Sequence, residues 1–285
     1  MDKRKILIQL DSDAHASVFD RVVAVDAGAD EIFSYAGVRP EHVQNLVHGA
    51  IFTRKDLKST AIFIGGSDIG AGEILLAEAL KHMMPKSGLR VSIMLDSNGA
   101  NTTAAAAVRA AARHLPLKDA KALVLGGTGP VGQRVARLLA REGAQILVGS
   151  RQAARAKVVC DDIVGRVQNA TLEPVGTSSS DELATALEGR TLVIAAGAAG
   201  VVLLPKAART PSLKVAIDLN AVPPLGVEGV GVGDKAVAQN GVVCYGAIGV
   251  GDTKMKVHKA AIAALFESND KVLDAEEIYQ IAQSF

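Results

Sequence analysis

Residues 123–139 read LVLGGTGPVGQRVARLL. An apolar run stops at glycines, and an amphipathic pattern starts directly behind them. Gly127, Gly129 and Gly132 have the G-x-G-x-x-G spacing. The hexapeptide alone is weak evidence. Here it follows a strand-like KALVL and opens a helix with apolar Val131, Val135, Leu138 and Leu139. That context is the dinucleotide fingerprint. The first glycine is expected to make the tight turn, the second to admit a pyrophosphate to the backbone, and the third to let helix and strand pack closely. Free amides at the helix start would face the phosphates. Gly127, Thr128, Gly129, Pro130, Val131 and Gly132 are therefore candidate cofactor contacts.

The next strand, AQILVGSR, bears on which dinucleotide is bound. An NAD enzyme usually carries an acid at this strand end to hold the ribose hydroxyls. No acid lies between Ala144 and Lys157; Ser150, Arg151 and Arg155 stand there instead. A hydroxyl and a guanidinium fork suit a 2′-phosphate, which predicts NADP, with NAD as the weaker alternative. The competing reading makes Arg151 a solvated surface charge. Ala196 and Gly197 in IAAGAAG, and Asn220 in IDLNAVPPLG, are candidates for the nicotinamide end. Ordinary loop chemistry would also account for both stretches.

Outward from this unit, strand-like runs alternate with helix-like ones along the 285 residues. The expected class is α/β, a Rossmann-type NADP-binding domain plus a second α/β domain, the two forming an interdomain cleft. Strands are expected at 6–10, 31–35, 60–64, 91–94, 145–148, 171–174, 191–195, 215–218 and 242–245. Helices are expected at 17–27, capped by Ser17, and at 39–47 and 71–84. An alanine-rich helix from Thr102 bridges to the second series. Residues 1–105 are read as the substrate domain, joined by a helical C-terminal part at 253–285, and 106–252 as the NADP-binding domain.

Thirty-one basic against 30 acidic residues leave a formal charge of +1. This gives no electrostatic reason for a nucleic-acid or anionic-membrane partner. Two cysteines 84 positions apart do not make a disulfide framework and suit a reducing cytoplasm. The first apolar run is too short for a signal-peptide core, and TLVIAAGAAGVVLLP is too short and glycine-broken to span a membrane. The six histidines show no ligand spacing and neither cysteine has a CxxC partner, so no metal site is expected.

Polar residues collect at the strand ends of the first domain. Phe19 and Asp20 lie in DSDAHASVFD, and Asp96, Ser97, Asn98, Asn101, Thr102 and Thr103 in LDSNGANTTAAA. Strand ends are where α/β proteins bind ligands, and amides with hydroxyls can read a heterocycle. Capping of the alanine-rich helix accounts for one of them and leaves the rest of the cluster for a substrate.

SVFD, DAGAD, STAIFIGG, LDSNGANTTAAA, GGTGPVG, NAVPPLG, GAIGVG, KMKVH and LFES…DAEEIY together resemble the methylene-tetrahydromethanopterin dehydrogenases of methylotrophic bacteria, most of all the NADP-dependent type. The resemblance runs from about residue 6 to 281. It implies hydride transfer from the methylene-pterin to NADP in one-carbon (formaldehyde) metabolism, and a soluble cytoplasmic homo-oligomer, expected to be a trimer. It also favours Lys254 as a cleft residue beside the pterin; a basic turn of a surface helix is the alternative for Lys254 and Lys256. Asp20 would favour the developing cation. The cyclohydrolase YxxK pattern of the distantly similar folate enzymes is missing here. Methylene-tetrahydrofolate remains an alternative substrate, and a non-catalytic NADP-binding protein an alternative class. A shikimate-dehydrogenase-like enzyme is disfavoured because its N-x-T-x-P-x-K stretch is lacking.

Overall fold

The computed structural model describes residues 3–285. The chain divides into two units: residues 1–102 with 255–285, and residues 103–254.

The first unit opens with β1 (Ile6–Asp11), α1 (Val18–Asp26), β2 (Glu31–Tyr35), α2 (Pro40–Phe52), β3 (Thr60–Gly65), α3 (Ile69–His82) and β4 (Ser92–Leu95). Helix starts follow local chemistry. The Ser17 hydroxyl accepts the Asp20 N–H at the head of α1, the Asp68 carboxylate accepts the Ala71 N–H at the head of α3, and Pro40 begins α2. All three devices stabilise a first turn. β3 is buried along its whole length, as a central parallel strand covered on both faces must be.

Helix α4 (Ala100–Ala112) leads into the second unit. There follow β5 (Lys121–Leu125), α5 (Pro130–Arg141), β6 (Gln145–Ser150), α6 (Ala153–Arg166), β7 (Thr171–Gly176), α7 (Ser180–Leu187), β8 (Leu192–Ala195), β9 (Val215–Asp218), β10 (Val237–Gln239) and β11 (Val242–Tyr245). The sheet order is β10-β11-β9-β8-β5-β6-β7. Apart from β10 every pairing is parallel. Six parallel strands in this order form the doubly wound dinucleotide sheet, whose order reverses between β5 and β8.

Helix α8 (Ala247–Ala264) returns the chain to the first unit, followed by β12 (Val272–Leu273) and α9 (Ala275–Ala282). The first sheet then reads β12-β4-β3-β1-β2, parallel throughout, with its order reversing between β1 and β3. Two features depart from the sequence reading. The C-terminal part is not purely helical: β12 pairs with β4, and Ile93 donates its N–H to the Lys271 carbonyl at 2.8 Å. A two-residue strand carries no periodicity to read. The β10–β11 hairpin was also missed, although Asn240 and Gly241 both take positive φ in its two-residue turn. Asn-Gly is the standard signal for such a turn.

Candidate functional site

In the second unit, the ends of β5 and β8 flank the point where strand order reverses, which is where such sheets bind ligands. The tight turn after β5 belongs to Gly126, not to Gly127. Gly126 has φ +70°, and a Cβ on it would lie 2.5 Å from the Gly197 Cα. Gly127 instead serves packing, because a Cβ there would meet the Val148 side chain at 2.6 Å. Gly132 brings the helix onto the loop: its Cβ would lie 2.4 Å from the Gly126 carbonyl oxygen. The Gly-Gly doublet was visible in the sequence, but spacing alone could not say which member turns.

Gly129 caps α5 without a side chain, and Pro130 occupies the first helical position. The first-turn amides are thus left for an anion, at the positive end of the helix dipole. Thr128 is half-buried, and its carbonyl accepts the Gln133 side-chain N–H at 2.8 Å, which holds the loop against the helix. Val131 is half-buried beside it. Ala196 and Gly197 face this loop from the end of β8, the Ala196 N–H bonding to the Leu125 carbonyl at 2.8 Å.

At the end of β6, Ser150 is buried and its hydroxyl accepts the Gln152 N–H at 3.3 Å. Arg151 and Arg155 are exposed, and no side-chain hydrogen bond or ion pair holds either among the described residues. Helix α6 begins between them, at Ala153, again without a side-chain cap. Asn220 is buried in the loop after β9. Its side-chain N–H groups go to the Val222 and Pro224 carbonyls and its oxygen accepts the Val222 N–H. That side chain shapes its own loop. Asp218 does the same, accepting from Asn220 and Val227.

In the first unit, the expected substrate cluster splits. Asp96, Ser97, Asn101 and Thr102 are buried and committed internally. Asp96 accepts the Thr102 N–H at 3.0 Å and its hydroxyl at 2.7 Å. Ser97 donates to the Gly65 carbonyl, and Asn101 donates to the Leu95 carbonyl and to Asp274. Helix capping and cross-linking account for all four, since a buried polar group must find partners at home. Asn98 is exposed with φ 54°, and Thr103 is half-buried.

Phe19 and Asp20 stand where β1 and β3 end. Phe19 is 50% exposed, and the Asp20 side chain keeps 16% of its surface. Asp11 is fully buried and takes the N–H groups of Asp13 and Ser17, which folds the loop that launches α1. Gly65 admits both acids: its Cβ would lie 3.4 Å from an oxygen of Asp11 and 3.4 Å from one of Asp20. Beside them lies a residue the sequence did not single out, His258 of α8. Its Nε2 is 4.0 Å from Asp20 Oδ1, and its ring stacks on Phe63. Lone histidines give no spacing signal, so only packing could show it. Lys254 is half-buried four residues earlier, on the same face of α8. Next to the β1 and β3 ends, Ser12, Asp13, Arg39 and Leu75 line a cavity of about 250 Å³. Among the described residues no cluster of histidine, cysteine or acid side chains could hold a metal ion.

Residues 18–98 match the family model described as methylene-tetrahydromethanopterin dehydrogenase, N-terminal. The chain is 44% identical, over 98% of both chains, to the bifunctional protein MdtA of Methylorubrum extorquens. It is 31% identical, again over 98% of both, to the NAD(P)-dependent methylenetetrahydromethanopterin dehydrogenase of the same organism. The chain belongs to the methylenetetrahydromethanopterin dehydrogenase family. Among solved structures, ligand-free 5-ketofructose reductase of Gluconobacter sp. strain CHM43 superposes with a TM-score of 0.55 at 15% identity, covering 99% of each chain. Quinate dehydrogenase of Corynebacterium glutamicum gives 0.50 at 12% identity, over 99% of each. At these identities the likeness concerns the family's two-domain α/β fold and nothing more.

Proposed function

We propose that the protein oxidises methylene-tetrahydromethanopterin to methenyl-tetrahydromethanopterin, passing a hydride to NADP, as a step of one-carbon metabolism. The observation that carries this reading is the full-length kinship with pterin dehydrogenases, joined to a glycine cradle shaped for a dinucleotide. Any side chain at Gly126 or Gly132 would fill that cradle. When bound, the nicotinamide supplies the hydride acceptor.

The rest falls to the chain's own residues. The uncapped start of α5 holds the pyrophosphate, and Ala196 and Gly197 leave room beside it. Arg151 and Arg155, with Ser150, select the 2′-phosphate, because no carboxylate stands at the end of β6 to claim the ribose hydroxyls. The lone pairs of the two flanking nitrogens expel the hydride from the pterin methylene, so no proton leaves the reacting carbon and no general base is required. Asp20 supplies negative potential that favours the delocalised cation as it forms. Lys254 orients the pterin by a hydrogen bond, and Phe19 offers an exposed ring for it to rest on. The enzyme works in the cytoplasm as a homo-oligomer on this reading. Among the described residues no helix is long and apolar enough to cross a membrane.

Steady-state assays with methylene-tetrahydromethanopterin and methylene-tetrahydrofolate, following NADPH absorbance, test the proposal. NADPH formed fastest with the methanopterin substrate is expected. Tight NADP binding without oxidation of either pterin would leave a nucleotide-binding protein and end the enzyme reading.

A further inference from the structure

We infer that His258 is a positioning residue for hydride transfer, fixing the Asp20 carboxylate and the Phe19 ring from inside the first unit. The inference rests on the proposed role of Asp20 and extends it. His258 has no exposed surface, yet its neighbours on α8, Val257, Ala261 and Ile262, are the apolar residues a core expects. An imidazole there costs desolvation that an apolar ring would not. What it gains is its contacts. Its ring lies 5.7 Å from the Phe63 centroid at an interplanar angle of 21°, and Phe63 is itself core. It also meets Phe19 at 6.2 Å and 39°, and places Nε2 4.0 Å from Asp20 Oδ1. The imidazole thus links a core ring to two consecutive residues in the first turn of α1.

Asp11 and Asp20 crowd the same glycine, each with an oxygen 3.4 Å from the place of a Gly65 Cβ. Asp11 is compensated by two backbone N–H groups. His258 places Nε2 4.0 Å from Asp20 Oδ1, longer than a hydrogen bond but within ion-pair reach of a protonated ring, and so holds that carboxylate in place.

A double-mutant cycle on the full-length protein tests this, with His258→Phe, Asp20→Asn and their combination assayed for pterin oxidation by NADP. His258→Phe keeps a stacked ring on Phe63 and removes the nitrogen. The expected result is a fall in kcat of at least tenfold, an NADP Kd within twofold of wild type, and less than twofold further change in the Asp20→Asn background. A kcat within twofold of wild type overturns the inference, as does an equal loss in both backgrounds. Should phenylalanine at 258 prevent folding, His258→Gln and His258→Met carry the same comparison, since the first restores a donor at similar length and the second does not. Gln equal to Met overturns the inference; Gln closer to wild type supports it. Wild-type protein inert toward both pterins overturns the functional reading and this inference with it, whereas an active wild type with an unaffected His258→Phe overturns the inference alone.

Discussion

Arg151 stands exposed at the end of β6 with nothing in the described chain to hold its guanidinium. A charge-assisted contact from such a group to a phosphate is worth about 1.5–3 kcal/mol. Arg151→Ala should therefore raise KM for NADP on the order of tenfold to a hundredfold, with KM for NAD changing far less. Equal losses for both nucleotides would return Arg151 to the solvated surface. Gly126 is the other decisive position. Alanine there meets both a positive φ and the Gly197 backbone, so Gly126→Ala should abolish nucleotide binding in titration calorimetry. His114 sets an acid limit on stability. Burial foremost, then the charge of Arg113, lowers its pKa below the ordinary 6.5, and its Nε2 lies 2.8 Å from the Tyr245 hydroxyl. With the folded value depressed, the neutral form's contribution is complete above the unfolded value and is lost as pH falls through the folded one. Melting temperatures measured downward from neutral pH should decline less steeply in His114→Gln than in wild type.

Among the elements, α4 shows how the fold uses a polar cluster at its own helix start. Its first turn is held by Asp96, and removing that carboxylate strands a buried N–H and reorients a hydroxyl. Asp96→Ala should cost about 1–3 kcal/mol of stability. It should lower the melting temperature while leaving KM for the pterin in the folded enzyme nearly unchanged; a large rise in KM at constant melting temperature would restore Asp96 to the substrate. Asp96, Ser97, Asn101 and Thr102, read from the sequence as candidate substrate contacts, all have internal partners in the fold. Sequence spacing places polar groups at a strand end but does not say whether they look outward or inward. The strand and helix runs were more legible. The expected strand at 31–35 coincides with β2, and Ser17 caps α1 as its position predicts. Those elements announce themselves through local chemistry, whereas β12 exists only because β4 offers it a partner.

The whole molecule keeps its two thiols out of reach. Cys160 and Cys244 are free and buried. Desolvation, then the charge of Asp161, pushes the Cys160 thiol up to about 11, and burial raises Cys244 as well. Only the thiolate attacks a disulfide reagent. Native protein at mildly alkaline pH should react slowly with such a reagent, and denatured protein should release both equivalents at once. Rapid native labelling of either cysteine would show that its core opens readily.

The sequence by itself determined the α/β class, the glycine cradle and the absence of an acid after β6. These depend on residue type and short spacing, and no distant part of the chain can alter them. Only the tertiary structure decided which glycine makes the turn, which polar side chains are consumed inside the fold, and that His258 comes to rest against Asp20. Each of those outcomes turns on contacts between segments far apart in sequence: Gly126 with Gly197, Asn101 with Asp274, and α1 with α8. Whether a side chain is buried, and what it touches once there, is fixed by packing across the chain and leaves no local signature.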